Sequence, residues 1–432
     1  GASLVFREGQ MAPNETIIFS DITEAIPGLA GQEDLSGSVR IESESPSGCK
    51  VLSVSRTFNS TEYGTLGLFV PALPVKNLSG EFLDITGLMN DSDYRSNLRL
   101  VNFGDEDVWV GLKLFQRSGE QIGEDRSLQV LGNSTTQIND VTTWFGVEDT
   151  LKHFSIRADV TGLDVQAFGT VVDNLTGDSV LFMSTFNGEN KVWLVGVANQ
   201  QGVNDSLWQT DIWLHNPTDE WLAGEVKFVD GDDPSTAYGF QWPVLNPKKT
   251  KPYLDIVAGQ FQLEDVRGYL LLTGADGSPA PLVSARTYNQ DPGGGTYGLN
   301  LRPFTSENLL YAGEAGYIAG VTNSADPEIG FRTNLGILNT EEELWSSVRI
   351  SVFNLDGTQA ADPWSVTIPP GVYRQWDIFD KLGLGEQDTA GSIRIEILEG
   401  GGHAVFATEI DNLTQDSIFI PAQEKLVGPP PE

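Results

Sequence analysis

Phe331-Arg332-Thr333-Asn334-Leu335-Gly336-Ile337-Leu338-Asn339 alternates polar and apolar side chains, and the same stretch occurs twice more upstream. Tyr94-Arg95-Ser96-Asn97-Leu98-Arg99-Leu100-Val101-Asn102 and Trp208-Gln209-Thr210-Asp211-Ile212-Trp213-Leu214-His215-Asn216 carry it. They place Asn97, Asp211 and Asn334 at intervals of 114 and 123. A second landmark, Asp173-Asn174-Leu175-Thr176-Gly177-Asp178-Ser179, returns as Asp411-Asn412-Leu413-Thr414-Gln415-Asp416-Ser417. Degenerate copies stand at Phe58-Asn59-Ser60-Thr61 and Tyr288-Asn289-Gln290-Asp291. From Asn59 through Asn174 and Asn289 to Asn412 the steps are 115, 115 and 123. Two landmarks that keep one period and lengthen together define a tandem repeat.

Within a unit the period is 2, the alternation of half-buried strands. The last unit predicts strands over 317–321, 331–339, 347–353, 364–368, 373–379, 392–398, 404–410 and 418–420. Asn354-Leu355-Asp356-Gly357 is read as a hairpin turn, because Asp-Gly supplies a positive φ. Seven or eight strands in about 110 residues is the rhythm of an immunoglobulin-like β-sandwich. The expected fold is therefore all-β: tandem immunoglobulin-like β-sandwich repeats forming an elongated rod, with the first repeat incomplete. The boundaries are a half repeat over 1–75, repeats over 76–188, 189–306 and 307–423, and a Pro-rich tail over 424–432. In the half repeat, Ser3-Leu4-Val5-Phe6 matches the strand at Trp364 and Asp21-Ile22 matches Asp377-Ile378, while nothing corresponds to the three opening strands. Its apolar segments, Leu4-Val5-Phe6, Ile17-Ile18-Phe19 and Val51-Leu52-Ser53-Val54, predict an uncovered face. Strands of a neighbouring subunit are the favoured cover, with Leu4, Val5 and Phe6 at the assembly contact; an upstream segment and close packing on the next domain are the alternatives.

With 26 basic against 60 acidic residues, the formal charge is -34. Nucleic acid and anionic membrane surfaces repel such a chain. No apolar run approaches the length of a membrane span, so no membrane insertion is expected. The single cysteine, Cys49, reads as a small buried hydrophobe. The three histidines, His153, His215 and His403, fall at three different places of the repeat and suggest neither a metal cage nor a catalytic triad. No catalytic residue and no organic cofactor is expected.

Asp230, Asp232 and Asp233 crowd hard oxygen ligands into one loop and are the candidate calcium site, against the plainer reading of a solvated hairpin tip. Trp109, Trp221 and Trp345 each follow an acidic loop. Recurrence in every unit favours core positions over sugar-stacking ones. Asn59, Asn77, Asn174 and Asn412 head Asn-x-Ser/Thr triplets at turns and joints and are candidate glycosylation sites, although such residues also simply favour turns.

The phrases Phe331-Arg332-Thr333-Asn334-Leu335-Gly336 and Asp411-Asn412-Leu413-Thr414, closing in Phe419-Ile420-Pro421-Ala422, resemble the Ig-like sandwich repeats of long secreted bacterial surface proteins. Asn289, the counterpart of Asn174, departs from the pattern in lacking a hydroxyl residue two positions on. The resemblance implies an extracellular or cell-surface structural protein and transfers no active site. The expected function is a subunit of a surface filament, sheath or stalk, self-associating into a homopolymer through intersubunit β-strand contacts. The alternative is an adhesin or carbohydrate-binding module with a glycan or host-surface ligand.

Overall fold

The computed structural model describes residues 9–33, 35–44, 50–62, 64–73, 82–184, 186–202, 206–291 and 293–427. The fold is all-β, as the alternation predicts. A lone hairpin opens it, formed by β1 (Val54–Thr61) and β2 (Gly64–Pro71). Eight strands follow in the second unit: β3 (Phe82–Asn90), β4 (Tyr94–Asn102), β5 (Val108–Phe115), β6 (Gln121–Val130), β7 (Ser134–Ile138), β8 (Leu151–Asp159), β9 (Val165–Asp173) and β10 (Ser179–Met183). They form two four-stranded sheets, β3-β8-β5-β6 and β10-β9-β4-β7, facing one another across a common apolar core.

The third unit repeats this order with β11 (Lys191–Gln201), β12 (Leu207–His215), β13 (Leu222–Asp230), β14 (Ala237–Leu245), β15 (Thr250–Tyr253), β16 (Val266–Gly274), β17 (Leu282–Gln290) and β18 (Thr296–Asn300). The fourth does so with β19 (Glu314–Asn323), β20 (Phe331–Asn339), β21 (Ser346–Asn354), β22 (Trp364–Ile368), β23 (Tyr373–Asp377), β24 (Thr389–Glu399), β25 (His403–Asp411) and β26 (Ser417–Pro421). An added strand, β27 (Gln423–Val427), pairs with β19. The segment read as the start of a loose tail is therefore partly sheet, because the first strand of the unit offers a free edge beside it.

One residue type at one place explains the constancy of each unit. Asn102 and Asn339 end the second strand, Asn216 directly follows it, and all three are buried. Each donates from Nδ2 to main-chain carbonyls on both sides of the following loop, such as Leu344, Ile368 and Pro369 in the last unit. Each also accepts a main-chain N–H two residues on. The side chain thus satisfies carbonyls that no ladder reaches.

Between residues 9 and 53 no strand is present among the described residues; only a short helix, α1 (Ile22–Ala25), is formed there. Ile17, Ile18, Phe19, Val39 and Ile41 are exposed rather than facing a core. The expected strand at 17–19 does not form, and only Val54 of the segment 51–54 enters one, since a strand needs a ladder partner and an apolar face to pack on. The expected strand at Leu4, Val5 and Phe6 lies outside the described residues, as does Cys49.

The units do not follow one another as a rod. In each complete unit the first strand carries a bulged glycine with positive φ, Gly87, Gly196 or Gly320. A methyl at Gly87 would sit 3.2 Å from Trp213 of the third unit, at Gly196 3.6 Å from Phe406 of the fourth, and at Gly320 3.0 Å from Val54 of the hairpin. Each unit therefore packs against the next, and the last packs against the first. Last strands β2, β10, β18 and β26 meet in a cycle that closes the ring. Trp213 illustrates the packing: it is fully buried in the second unit's core against Phe182, 5.6 Å away, although it belongs to the third. A rod would need polar outer faces at these joints. The chain instead carries large apolar side chains there, whose burial favours side-by-side closure.

Candidate functional site

The hairpin docks on the fourth unit by the contacts that join the second unit to the third. Asp173 Oδ2 accepts from Thr296 N–H and Oγ1 at 2.8 and 2.9 Å, Thr176 Oγ1 donates to Thr296 O, and Asp178 Oδ2 accepts from Gly298 N–H at 3.0 Å. Correspondingly, Asp411 Oδ2 accepts from Thr65 N–H and Oγ1 at 2.9 and 2.7 Å. Thr414 Oγ1 donates to Thr65 O, and Asp416 Oδ2 accepts from Gly67 N–H at 2.7 Å. The four units thus alternate in kind: the first and third supply a Thr-x-Gly strand, the second and fourth the Asp-rich turn that grips it.

Around the axis, Val180, Phe182, Leu299, Phe69 and Phe419 line a cavity of about 30 Å³, room for about two waters. Asp178 and Asp416 are buried, each next in sequence to a lining residue, Ser179 and Ser417. Burial, and then the charge of Asp416, pushes the Asp178 carboxyl well above the ordinary range. Burial likewise raises Asp416 to about 7, opposed by Gly67 N–H and the Arg56 guanidinium. Burial and mutual repulsion thus both favour the protonated form of this pair.

The hairpin differs from its counterparts at its outer edge. Thr65 and Gly67 send their N–H groups away from β1, so antiparallel alternation sends the main-chain groups of their cross-strand partners Ser60 and Phe58, and of Arg56, away from β2. In the complete units that edge is taken: β9 pairs with β4, β17 with β12 and β25 with β20. Among the described residues nothing pairs with it on β1. Burial tells the same story. Strand β25 is buried throughout and β17 in all but its last residue, whereas β1 is mostly exposed. Phe58 is 44 % exposed where its counterpart Tyr288 is 9 %.

Arginine chemistry marks the same strand. In the third unit Arg286 lies between the rings of Tyr94 and Tyr288, 4.9 and 4.3 Å from their centroids, and gives Nε and Nη2 to Asp211 Oδ2 at 3.2 Å. Asp211 Oδ1 accepts Asp255 N–H at 2.8 Å and the Tyr288 hydroxyl at 3.3 Å. Burial raises the Asp211 carboxyl, although Arg286 works against the rise. Arg56 is the counterpart of Arg286. It lies between Phe58 and Phe331, at 5.5 and 5.2 Å, with Nη2 3.3 Å from Asp416 Oδ2. Its Nε is buried with no hydrogen-bond partner among the described residues.

The other candidate residues fall elsewhere. Asp230 Oδ1 accepts the N–H groups of Asp232 and Asp233, Asp233 accepts from Ser235 and Thr236, and Asp232 faces Arg374 at 3.5 Å. These carboxylates shape their own turn rather than converging, and among the described residues no three His, Cys, Asp or Glu side chains are grouped to hold a metal. The melting temperature should accordingly stay within about 1 °C on adding EDTA, since an ion bound only to the native state would have stabilised it. A clear drop would restore calcium to that loop.

Trp109, Trp221 and Trp345 are 64, 63 and 62 % exposed, so the expected core placement is overturned. Each opens or precedes a strand on its outward face, where recurrence marks a surface feature. Asn174 is exposed and holds Arg95, Asn59 is exposed on β1, and Asn77 lies outside the described residues. Asn412 is buried and gives Nδ2 to Ile329 O, which keeps that nitrogen inside the protein. All three histidines are buried. His153 Nδ1 accepts from Trp213 Nε1 at 3.0 Å, and burial lowers its pKa to about 4. His215 lies beside the buried Asp84–Arg157 pair. No helix among the described residues is long and apolar enough to cross a membrane. No family model matches the chain, and no curated protein matches it.

Proposed function

We propose that the protein is a structural repeat subunit of an extracellular surface assembly, a filament, sheath or stalk, joined to its neighbours by a β-strand added along the outer edge of β1. One observation carries this reading: a strand that three other units bury is exposed in the first, with its edge unpaired among the described residues. Such an edge is a template for another chain. The immunoglobulin-like character of the units, and the homopolymer, belong to the same proposal. Because Phe58 N–H points away from β2, Phe58→Pro should block addition and leave the hairpin ladder whole. Electron microscopy is expected to show ordered polymers of the parent protein and single particles of the variant. Single particles of both would contradict the reading.

The exposed Trp109, Trp221 and Trp345 favour a second reading, an adhesin that stacks sugars on its indoles. A glycan array separates the two. Binding that is lost on Trp→Ala substitution supports the adhesin, whereas a purely structural subunit binds none.

A further inference from the structure

We infer that the strand added to β1 carries a carboxylate directly opposite Arg56, in the manner of Asp211 in β12. The inference rests on strand addition at β1 and names the chemistry of what is added. The complete units supply the template. At the position facing the incoming strand, β9 has Thr170 opposite Asn97, β25 has Thr408 opposite Asn334, and β17 has Arg286 opposite Asp211. Neutral side chains face neutral ones, and the arginine faces the acid.

Strand β1 has Arg56 at this position, flanked as Arg-Thr-Phe-Asn where β17 reads Arg-Thr-Tyr-Asn. The guanidinium is already fixed between two rings, and one edge is engaged by Asp416. Nε, the atom that in Arg286 goes to Asp211, is buried with no partner among the described residues. A buried donor left unmade is costly, so the ligand that completes this edge is one with an acceptor there. An anionic acceptor makes the strongest such bond. An asparagine strand of the β4 or β20 kind would match the edge but leave the arginine less well paired. Asn59 adds a register mark: its counterpart Asn289 accepts Leu207 N–H at 3.2 Å from the first residue of β12. The occupant is thus an extended strand of alternating apolar residues, with its acid at the place Asp211 holds in β12.

The test uses the full chain and a peptide copying residues 206–216, with a terminal lysine pair for solubility and a fluorophore for anisotropy. A second peptide carries Asp211→Asn. The first should bind saturably and at least ten-fold more tightly than the second. With Arg56→Gln in the chain, the ratio between the peptides should fall to about one. Equal affinity of both peptides for the parent chain would overturn the carboxylate while leaving strand addition in place. Saturable binding of neither would overturn strand addition and the inference with it. The two-peptide comparison on the parent chain decides the matter even if the arginine variant fails to fold.

Discussion

Asp211→Ala should destabilise the protein by about 3–5 kcal/mol, the range for removing one partner of a buried ion pair. Arg286 is buried, and without Asp211 its Nε and one Nη2 bond have no acceptor, leaving only the Tyr94 hydroxyl at 3.1 Å. Asp255 N–H and the Tyr288 hydroxyl lose their acceptor at the same time. The loss is felt beyond the third unit, because Tyr94 belongs to the second. The other units show how to repair it. Asp211→Asn combined with Arg286→Thr installs the pair found at Asn97–Thr170 and Asn334–Thr408 and should recover most of the loss, within about 2 kcal/mol of the parent. Urea unfolding followed by tryptophan fluorescence measures both. An Asp211→Ala cost under about 1 kcal/mol would mean that the arginine network does not hold the second and third units together.

The melting temperature should fall by roughly 5–10 °C between pH 5 and pH 8, a direction opposite to that of most acidic proteins. Asp178 is raised by burial and by Asp416, Asp416 is raised by burial to about 7, and Glu409 is raised by burial to about 7, against the help of Thr322. Their unfolded values lie near 4. Between about pH 4 and 7 the folded chain therefore binds more protons than the unfolded one. The stability these groups contribute is complete below pH 4 and is lost as pH rises through 7. Asp84 and Asp91 act in the other direction. Burial alone would raise both, but His215 and Arg157 hold Asp84 down and Lys152 holds Asp91 down. Their contribution is lost only as pH falls below about 4, whereas His153 and His403, whose pKa values burial lowers, oppose the slope up to about pH 6.5, so that the fall is concentrated above it. Asp178→Asn should flatten the slope above pH 5, because it removes one of the two charges at the axis. A melting temperature that is level or rising from pH 5 to 8 in the parent would contradict this.

The repeat was legible in the sequence because its landmarks are fold determinants with local jobs. Asn102, Asn216 and Asn339 plug one loop in each unit, and Asp173 and Asp411 cap the same turn. Strand positions in the fourth unit followed from alternation, since one face of each strand is buried. The ring was hidden. Its evidence lies in residues that are merely large and apolar along the chain, such as Trp213 and Phe406, whose meaning depends on the glycine bulge each one meets in a neighbouring unit. The alternation of unit kinds was within reach: Arg56-Thr57-Phe58-Asn59 and Arg286-Thr287-Tyr288-Asn289 agree in three of four positions and keep an aromatic at the fourth, while attention to Asn59 and Asn289 alone made them look degenerate. The tryptophans misled because recurrence identifies a constraint without saying on which face it acts. Trp109 is an outward residue of β5, and Trp221 and Trp345 stand exposed just before β13 and β21, where a shift by one residue reverses the inference.

Residue-resolved hydrogen exchange across β1 tests strand addition most directly. The ladder to β2 engages every second residue, and the outer edge presents the others. In the separated chain, Ser55 and Thr57 amides should be protected and those of Arg56 and Phe58 should exchange freely. In the assembled protein, Arg56 and Phe58 should become protected as well, matching Arg286 and Tyr288 of β17. Free exchange at Arg56 and Phe58 in the assembled protein would show that the edge of β1 receives no strand.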